Sequence, residues 1–557
     1  MNNRPYDFIL LYVIEREIQK RRIYGVASLL VPGFGQALSG RVIKGILQFT
    51  ILVLFLFVIK RVWNGFNAGF FAYLFGITTY WIYIVVDAYG YYDKRTAPCE
   101  KACPVGLDVS GYMELALRSE FQRAKELIYH RSPFIGTLSY VCHEPCKKWC
   151  ARRKVDMPLE IRAIKRYVFE NSRKIVFEHK KKFNNKIAII GAGPSGLSCA
   201  FFLSRLGYEV DVMDAKEEPG GALREFIPEY RLPVKVLEND IEEIFSGGLI
   251  NFKGNVVLGR DIQIEDLKNK YDAIYIATGS WGRRNLGIPG EDKKGVFHAL
   301  DFLRWVKSGK MQRIYGTIVV VGGGDVAADV ARSAMRLSVH RKVILAYRRS
   351  KKDMRIDELE LSEIEEEGIE ILENVVPVEI KGNDSVEKVV FRKTSVEDGD
   401  VKVLDETVER EAAYVIIAIG QKVHVVSKEI NTLQDGRIIV DKNMMTSQKP
   451  VFAGGDAVRG PSSLVESIRD GREAAKNIHK MLHPLHYILE GFLYFVPIHE
   501  KPKTLLKFKN PEGEHVLPVR KPYNERVMNF EAVELCFDDD KAIRESSRCL
   551  GCPFRYN

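Results

Sequence analysis

Seven of the nine cysteines lie in short groups, and this spacing is the first sign of chemistry in the sequence. The grouped cysteines are Cys99, Cys103, Cys142, Cys146, Cys150, Cys549 and Cys552. Thiolates three or four residues apart, one of them followed directly by Pro104, are typical ligands of iron–sulfur clusters. Zinc is the alternative, but structural zinc sites more often pair CxxC motifs, and the five cysteines between residues 99 and 150 suit one such site poorly. Nine cysteines are too few for a disulfide scaffold in 557 residues, so we predict metal ligands in a reducing compartment.

A glycine-rich loop follows an apolar run at residues 187–190 and leads into a helix-like run at 198–206. In the pattern GxGxxG the first glycine permits a tight turn, the second lets backbone approach a pyrophosphate, and the third lets the helix pack on the strand. The helix N-terminus then faces the phosphates. The next strand-like run ends at an acid that can bind ribose hydroxyls. We predict a dinucleotide site formed by Gly191, Gly193, Pro194, Ser195, Gly196 and Asp214.

A second unit of the same kind begins at Thr317, with alanine in place of the last glycine. Its next strand-like run ends in two arginines, where an NAD site would carry an acid. Guanidinium groups suit a 2′-phosphate through bidentate hydrogen bonds, which favours NADPH over NADH, although two arginines on a surface turn could also be merely solvated. The predicted residues are Gly322, Gly324, Asp325, Val326, Arg348 and Arg349.

The sequence also argues against some functions. Cys199 is the one cysteine near the first glycine loop, which argues against a mechanism in which a disulfide beside the flavin takes the electrons, as in thioredoxin or glutathione reductases. The net charge of +10 suits a protein near anionic lipid or an acidic partner. No block of Lys and Arg with interleaved aromatic residues occurs, so we predict no nucleic-acid binding.

Two uncharged apolar runs, at 46–59 and 66–86, predict a pair of transmembrane helices within residues 1–95. The first run reaches the length of a span only if Lys44, Lys60 and Arg61 snorkel at its ends. Basic residues at 20–22 and 94–95 predict the cytoplasmic face of the cell (inner) membrane for both ends. The segment 27–45 resembles the two-helix TM2 membrane module. The alternative is a hydrophobic hairpin buried against a membrane subunit.

The order of these motifs resembles the glutamate synthase small-subunit family and its NADPH-dependent iron–sulfur relatives. The likeness extends from about Cys99 to about Leu482. It implies that the first glycine loop binds FAD, and that the segment 219–233, the ATG turn at 277–279 and the segment 451–458 also contact the flavin. The residues implied are Gly221, Leu223, Arg231, Thr278, Gly279, Gly455 and Asp456.

The same resemblance implies the cluster ligands. The family opens its iron–sulfur domain with four cysteines, of which this sequence has the last two at the usual place and a matching pair near residue 550. We therefore predict that the C-terminal segment folds back to complete a first [4Fe-4S] cluster, with a separate zinc site or disulfide as the alternative. Its ligands would be Cys99, Cys150, Cys549 and Cys552. A second cluster would use Cys103, Cys142 and Cys146, with Glu160 or Lys165 as poor candidates for a fourth ligand.

These motifs predict an α/β fold with two Rossmann-like dinucleotide-binding domains, one inserted in the other, a helical iron–sulfur domain and an N-terminal transmembrane helical hairpin. The predicted divisions are a membrane hairpin (1–95), an iron–sulfur domain (96–180), an FAD domain in two parts (181–302 and 418–485), an NAD(P) domain (303–417) and a C-terminal extension (486–557).

The resemblance implies an NAD(P)H:acceptor oxidoreductase with FAD, NADP(H) and two [4Fe-4S] clusters. It would pass a hydride from NADPH to FAD and single electrons to a protein, either ferredoxin-like or a larger reductase or synthase subunit, or run in reverse. No side chain is needed as a nucleophile or general acid, because the chemistry belongs to the cofactors. The alternatives are the NADPH-oxidising small subunit of a glutamate synthase and a membrane electron-relay subunit with little turnover of its own.

Overall fold

The computed structural model describes residues 24, 27–29, 31, 34, 37, 42–62, 75–84, 96–397, 399–424, 427, 429–489, 491–495, 499 and 513–552. The chain divides into two compact units. The first comprises Met1–Thr96 and Leu489–Val496, and the second comprises Ala97–Ile488 and Pro497–Asn557.

The first unit contains helix α1 (Val42–Val62) and helix α2 (75–84). No helix in the described part of the chain is long and apolar enough to cross a membrane. A span needs about 20 apolar residues, whereas α1 has 15 uncharged residues between Lys44 and Lys60, and α2 is described over ten residues. The basic residues 20–22 and 94–95 lie outside the described residues. The predicted location at a cytoplasmic membrane face is therefore wrong, and the predicted hairpin and membrane partner have no support in the described residues.

Short helices build the start of the second unit. They are α3 (Pro98–Ala102), α4 (Val109–Leu117), α5 (Phe121–Tyr129), α6 (Ile135–Val141), α7 (Pro145–Lys148), a 3₁₀ turn (Ala151–Lys154) and α8 (Ile161–Glu170). Ser119 has a positive φ of 55°, and this turn divides the run from 109 to 129 into two helices that pack on each other.

A five-stranded parallel sheet holds the first glycine loop. Its strands are β1 (Ile187–Ile190), β2 (Val210–Met213), β3 (Ile250–Lys253), β4 (Ala273–Ile276) and β15 (Val451–Ala453), in the order β15-β4-β1-β2-β3. The accompanying helices are α9 (Pro194–Leu206), α10 (Ala222–Glu225), α11 (Val234–Phe245) and α12 (Ile264–Lys270). Strand β1 is completely buried, as its uninterrupted apolar sequence requires in a parallel sheet covered on both faces.

A second parallel sheet lies in the chain between β4 and β15, so one nucleotide-binding domain is inserted in the other. Its order is β6 (Val296–His298), β13 (Tyr414–Ile417), β7 (Ile318–Val321), β8 (Val343–Ala346) and β9 (Glu370–Leu372). An antiparallel sheet of β10 (Val375–Lys381), β11 (Lys388–Glu397) and β12 (Asp400–Glu411) follows β9, and β5 (Gly282–Arg283) pairs with β14 (Gln421–Lys422) where the chain enters and leaves the insertion. The helices are α13 (Ala299–Lys307), α14 (Asp325–Leu337), a 3₁₀ turn (Lys351–Asp353) and α15 (Glu358–Glu366).

The remaining described helices follow β15, and the 3₁₀ turn among them belongs to the first unit. They are α16 (Asp456–Arg459), α17 (Leu464–Leu482), α18 (Pro484–Leu489), a 3₁₀ turn (Gly491–Tyr494), α19 (Tyr523–Arg526) and α20 (Asp539–Ser547). Helix α17 packs along α9, and α20 packs against α4 and α8. This last contact brings the C-terminal cysteines back to the first helices of the second unit.

Candidate functional site

Four cysteines from three distant parts of the sequence line one cavity. Cys99 lies in the first turn of α3, Cys150 directly precedes the 3₁₀ turn, and Cys549 and Cys552 follow α20. Burial raises the pKa of the Cys99 thiol well above its usual range, and the neighbouring Cys549 thiol adds to the shift. The apolar part of the lining includes Ala97, Val109, Leu159, Ile161 and Leu550. The structure thus brings together the four side chains predicted for the first cluster.

A buried ionic network fastens the C-terminal segment to the turn that carries Cys150. Arg548 donates from Nη1 to Glu545 Oε1 over 2.7 Å and from Nη2 to Asp156 Oδ1 over 3.0 Å. Arg152 donates from Nη1 to the Arg548 carbonyl over 2.8 Å and is also bonded to Asp156. The Arg548 and Arg152 side chains are 0% and 2% exposed. Removing one partner of such a pair would leave a buried charge without its counter-charge, which lowers the stability of the folded state.

The second cysteine set, Cys103, Cys142 and Cys146, lies at the ends of α3, α6 and α7. Burial raises the pKa of Cys146 well above its usual range, and Cys142 and Cys103 add to this shift. Glu160 and Lys165, the two residues considered as the fourth ligand of the second cluster, lie in different environments. Glu160 already accepts hydrogen bonds from Lys147 and His515, with Nζ–Oε1 and Nε2–Oε1 distances of 2.8 and 2.9 Å. Lys165 is 3% exposed, and its charge opposes the rise in the pKa of both Cys142 and Cys146.

The cysteine sets suit a cluster better than a single ion. Among the described residues, no group of three or more His, Cys, Asp or Glu side chains is arranged to hold one metal ion. A zinc ion requires four ligands converging at about 2.0–2.3 Å from one point. An iron–sulfur cluster instead needs thiolates spaced around a larger body, which agrees with four cysteines around an apolar-lined cavity.

Two buried arginines join the second cysteine set to the FAD-side helix α17. Arg472 of α17 donates from Nη1 to the Val105 carbonyl over 2.7 Å, and Arg131 donates from Nε to the same carbonyl over 2.8 Å. Burial lowers the pKa of Arg472, and Glu473 and then Cys103 oppose that shift. The loop after Cys103 is therefore fixed against the helix whose N-terminus begins at Ser463. Sequence reasoning missed both arginines, because nothing in their local sequence indicates this contact.

The three glycines of the first loop have different surroundings. A Cβ at Gly191 would lie 2.3 Å from the Ala277 carbonyl oxygen, and one at Gly196 would lie 1.8 Å from the Gly191 oxygen. A Cβ at Gly193 would meet no atom closer than the Gly221 Cα at 3.9 Å. Packing therefore requires glycine at 191 and 196, whereas the space beside Gly193 is open to a ligand, as the pyrophosphate approach predicts.

Other predicted flavin residues surround this loop. Asp214 accepts hydrogen bonds from the amides of Ala192 (2.6 Å) and Lys216 (2.8 Å). The hydroxyls of Thr278 and Ser280 are buried and have no hydrogen-bond partner among the described residues. Because buried hydroxyls are nearly always bonded, these two are free to bind a polar ligand. The residues fit a bound dinucleotide.

Seven further predicted flavin residues lie at helix starts or turns. Asp456 begins α16 and accepts hydrogen bonds from Ser462, from Oγ over 2.6 Å and from the amide over 3.1 Å. Burial raises the pKa of Asp456 to about 6. The remaining positions on this side are Pro194 and Ser195 in the first turn of α9, Gly221 with φ 56°, buried Leu223, Gly279 with φ 75° and Gly455 with φ 63°.

Arg231 lies in a different environment from the other predicted flavin residues. Its Nη1 is 2.9 Å from Asp329 Oδ1 and 3.3 Å from Glu360 Oε1. Asp329 belongs to α14 and Glu360 to α15, both in the inserted domain. The structure therefore pairs Arg231 with carboxylates of the NAD(P) side.

The second glycine loop repeats the geometry of the first. A Cβ at Gly322 would lie 2.4 Å from the Ala418 carbonyl oxygen, whereas one at Gly324 would meet nothing within 4 Å. Asp325 and the partly buried Val326 follow in the first turn of α14. Asp325 Oδ2 lies 3.0 Å from His143 Nε2, which directly follows Cys142. This hydrogen bond raises the pKa of His143.

Three arginines lie on the side of this loop where a 2′-phosphate would bind. Arg348 is exposed, and Arg349 donates from Nη2 to the Gly399 carbonyl over 3.0 Å while its Nε has no partner. Arg355 donates its backbone amide to the Gly323 carbonyl over 2.9 Å and forms a β-bridge with Gly324. Sequence reasoning missed Arg355, because five residues, which include the 3₁₀ turn, separate it from Arg349.

The chain matches known proteins in both its nucleotide-binding and its cysteine-containing regions. Residues 185–471 match the family model of pyridine nucleotide-disulphide oxidoreductases, and residues 91–176 match that of dihydropyrimidine dehydrogenase domain II with its 4Fe-4S cluster.

Three relatives cover most of the chain. The beta subunit of an NADPH-Fe(3+) oxidoreductase from Geobacter sulfurreducens is 31% identical over 87% of this chain and 79% of its own length. The beta subunit of an NADP(+)-dependent formate dehydrogenase from Moorella thermoacetica is 32% identical over 82% and 70%. The glutamate synthase [NADPH] small chain of Escherichia coli is 33% identical over 69% and 88%. The chain therefore belongs to the glutamate synthase small-subunit-like family of oxidoreductases, which use NADP(H), FAD and 4Fe-4S clusters.

Proposed function

We propose that this chain is the subunit of a larger complex that exchanges electrons between NADPH and a protein partner. The observation that carries the proposal is the grouping of seven cysteines into two sets, of which the second is joined to the FAD-side helix α17. The relatives support it, because two of them are named as beta subunits and one as a small chain. FAD supplies the conversion between a hydride and single electrons, and the clusters carry single electrons.

In this proposal the glycine loops bind the two nucleotides. Gly193 and Gly324 leave space for a pyrophosphate, and the helices α9 and α14 direct their N-termini toward it. The unpartnered hydroxyls of Thr278 and Ser280 would bind FAD. Asp456 would bind the ribityl chain from the first turn of α16. The protein thus contributes position and electrostatics, and none of these side chains has to act as a nucleophile.

The preference for NADPH is assigned to Arg348, Arg349 and Arg355. Arg355 is included because its backbone is bonded to the glycine loop itself. Guanidinium groups form charge-assisted hydrogen bonds with a phosphate, each stabilising by about 1.5–3 kcal/mol. NADH lacks the 2′-phosphate and would gain nothing from them.

The cluster ligands proposed are the two cysteine sets. Cys99, Cys150, Cys549 and Cys552 would hold one [4Fe-4S] cluster, because they surround a single cavity. Cys103, Cys142 and Cys146 would hold the second cluster. Lys165, rather than Glu160, is the candidate for a polar side chain beside this cluster, because Glu160 already accepts hydrogen bonds from Lys147 and His515.

The small-subunit role in a glutamate synthase is a second candidate. The match to 88% of the small chain of Escherichia coli favours it. A purified chain that restores NADPH-dependent glutamate formation to an isolated glutamate synthase large subunit would identify this role, and absence of complementation would favour another acceptor.

The test of the proposed function is reduction of methyl viologen by the purified, cofactor-loaded chain. We expect NADPH to support turnover, and we expect Arg348→Ala combined with Arg349→Ala to raise the KM for NADPH about tenfold or more, since about 1.4 kcal/mol corresponds to tenfold. The KM for NADH should not change. Arg260→Ala is the matched control, because Arg260 is 69% exposed and paired with Asp261. Protein that contains flavin and iron but shows no turnover with either nucleotide would refute the proposal.

A further inference from the structure

An exposed surface with apolar and basic side chains surrounds one of the proposed cluster ligands. We call it the Trp149 surface, and its residues are Lys148, Trp149, Arg153, Lys154, Val155 and Met157. Trp149, Val155 and Met157 are 68%, 62% and 55% exposed. Large apolar side chains are usually buried, and three within nine residues indicate a contact surface for another molecule.

The backbone beneath this surface is fixed, so its exposure does not result from a loose loop. The Trp149 amide donates to the Cys146 carbonyl over 3.3 Å, and the Val155 amide donates to the Arg152 carbonyl over 2.8 Å. Arg152, between them in sequence, is buried in the network with Asp156 and Arg548. The turn therefore buries Cys150 and Arg152 and leaves the Trp149 surface facing solvent.

The charged side chains of the Trp149 surface are all basic. Lys148, Arg153 and Lys154 form no ion pair with a carboxylate in the described part of the chain. Two carboxylates close to them in sequence are already engaged, Asp156 by two arginines and Glu160 by Lys147 and His515. Three positive charges thus rim an aromatic side chain, and the complementary partner is acidic.

The position of the surface relates it to electron transfer. Trp149 and Ala151 are the chain neighbours of Cys150, which lines the cavity of the first cysteine set. The second set, by contrast, is joined to the FAD-side helix through Arg472 and Val105. The rate of electron transfer falls steeply with distance. A partner docked on the Trp149 surface would lie close to the first cysteine set, which we place after the second set on the electron route from the flavin.

We propose that the Trp149 surface docks an acidic electron-carrier protein, with Trp149 as its central apolar contact. The inference rests on the proposed function and adds the place and charge of the partner. Each NADPH yields NADP⁺, one proton and two electrons, and these reduce two partner molecules by one electron each. Aromatic residues at the centre of an interface and charges at its rim are the usual arrangement, in which the rim mainly accelerates association.

The test measures binding of the full, cofactor-loaded chain to an acidic two-cluster bacterial ferredoxin, with both proteins oxidised. The variant combines Lys148→Glu, Arg153→Glu and Lys154→Glu. We expect its Kd for the ferredoxin to rise at least tenfold at low salt, and we expect Trp149→Ser to raise the Kd at all salt concentrations. NADPH-driven reduction of methyl viologen, a small cationic dye, should stay within twofold in both variants.

The matched control combines Lys270→Glu, Lys310→Glu and Lys442→Glu, three exposed lysines on the nucleotide-binding domains. Its Kd should stay near that of the wild type, although its net charge changes equally. If the triple variant lost iron, Lys148→Gln with Lys154→Gln would replace it as a milder change, with a smaller rise in Kd expected.

Three results would overturn the inference. They are a Kd unchanged by the substitutions at the Trp149 surface, an equal loss of binding in the control, and binding of the wild type to vesicles of phosphatidylserine and phosphatidylcholine but not to the ferredoxin. Failure of the proposed function is distinguishable, because it abolishes viologen reduction in the wild type, whereas binding of oxidised proteins requires no turnover.

Discussion

Gly193 and Gly196 are three residues apart in one loop, yet a methyl group would meet different surroundings at each. At Gly196 it would overlap the Gly191 carbonyl, whereas at Gly193 it would enter the open space assigned to the pyrophosphate. We expect Gly193→Ala to fold and to lose most of its FAD, and Gly196→Ala to fail to accumulate as folded protein. Flavin content per chain and circular dichroism separate these two outcomes.

Gly324→Ala provides the control at the equivalent position of the second loop. A Cβ there would also meet open space, so this variant should retain FAD and show a raised KM for NADPH. Full FAD content in Gly193→Ala would contradict the assignment of the first loop.

Glu126 on α5 gives a pH-dependent prediction. Burial raises its pKa from 4.5 to about 7, and Oε1 has no hydrogen-bond partner in the described structure. A raised folded-state pKa means that the folded state holds the proton more tightly, so this stabilisation is full below about pH 4.5 and is lost as the pH rises through about 7. The loss is about 3 kcal/mol at most, since one pKa unit corresponds to about 1.4 kcal/mol.

We therefore expect Glu126→Gln to raise the Tm relative to the wild type at pH 8 and to raise it much less at about pH 5.5. Glu265→Gln is the control, because Glu265 is 57% exposed and its pairing with Lys268 is a surface contact. A Tm difference that does not change with pH would exclude Glu126 as the titrating group.

At the residue scale, sequence could predict side chains whose type and spacing are constrained by chemistry. Gly191, Gly324 and the cysteines are of this kind. A tight turn or the close approach of a ligand requires glycine, and ligation of a cluster by a thiolate requires cysteine. Arg355 and Arg472 could not be predicted, since their positions depend on a β-bridge to Gly324 and on a contact with the Val105 carbonyl. Both contacts join parts of the chain that the local sequence does not relate.

The last helix, α20, acts together with Arg548 to hold two proposed ligands in place. Arg548→Gln would leave the buried Glu545 without its counter-charge, at a cost of about 3–5 kcal/mol, whereas Asp156 is 37% exposed and keeps its pairing with Arg152. We expect this variant to lose iron from the first cysteine set while the flavin remains bound. Iron per flavin is the measurement, and the expected value is about half that of the wild type.

Arg544→Gln is the matched control for α20. Arg544 and Asp540 are 55% and 74% exposed, so the pair contributes at most about 0.5–1 kcal/mol. Truncation before Cys549 should reproduce the iron loss of Arg548→Gln. Unchanged iron in the truncated chain would refute the participation of Cys549 and Cys552.

At the element scale, the order of motifs predicted more than local propensity did. The glycine loops and the strands before them lie where expected, and the C-terminal cysteines lie beside Cys99. Residues 109–129 form two helices rather than one, because Ser119 adopts a positive φ that a continuous helix cannot contain. The predicted membrane helices have no support among the described residues, because Lys44, Lys60 and Arg61 limit the uncharged part of α1 to 15 residues.

The iron–sulfur and FAD domains are joined through buried charges. Lys125 of α5 pairs with Glu243 of α11 over 2.7 Å, and their side chains are 2% and 1% exposed. Tyr129 donates to the same carboxylate, and the Ile175 amide donates to it over 2.9 Å. Glu243→Gln would leave the Lys125 charge buried and unpaired, at a cost of about 3–5 kcal/mol.

We expect wild-type protein to lose flavin and iron in a single thermal transition, and Glu243→Gln to release iron at a lower temperature than flavin. Calorimetry with parallel flavin fluorescence and iron release measures this. Lys174→Gln is the control, because Lys174 and Glu242 are 51% and 60% exposed. Coincident release in Glu243→Gln would show that other contacts suffice to couple the domains.

At the scale of the whole molecule, the insertion of one nucleotide-binding domain in the other could be predicted, because the second glycine loop interrupts the flavin motifs in the sequence. The contacts between domains could not. Lys125 and Glu243 are 118 residues apart, and each is an ordinary charged residue of an amphipathic helix until the partner is known.

The long separation within the first cysteine set has a consequence for synthesis. Cys549 follows Cys99 by 450 residues, so at 5–20 residues per second a ribosome needs roughly 20–90 s to pass from one to the other. During that time a nascent chain offers two of the four proposed thiolates, Cys99 and Cys150, to the machinery that delivers iron. Under this ligand set, the first cluster can be completed only after residue 552 has been translated, and a chain interrupted before residue 549 would carry flavin without that cluster.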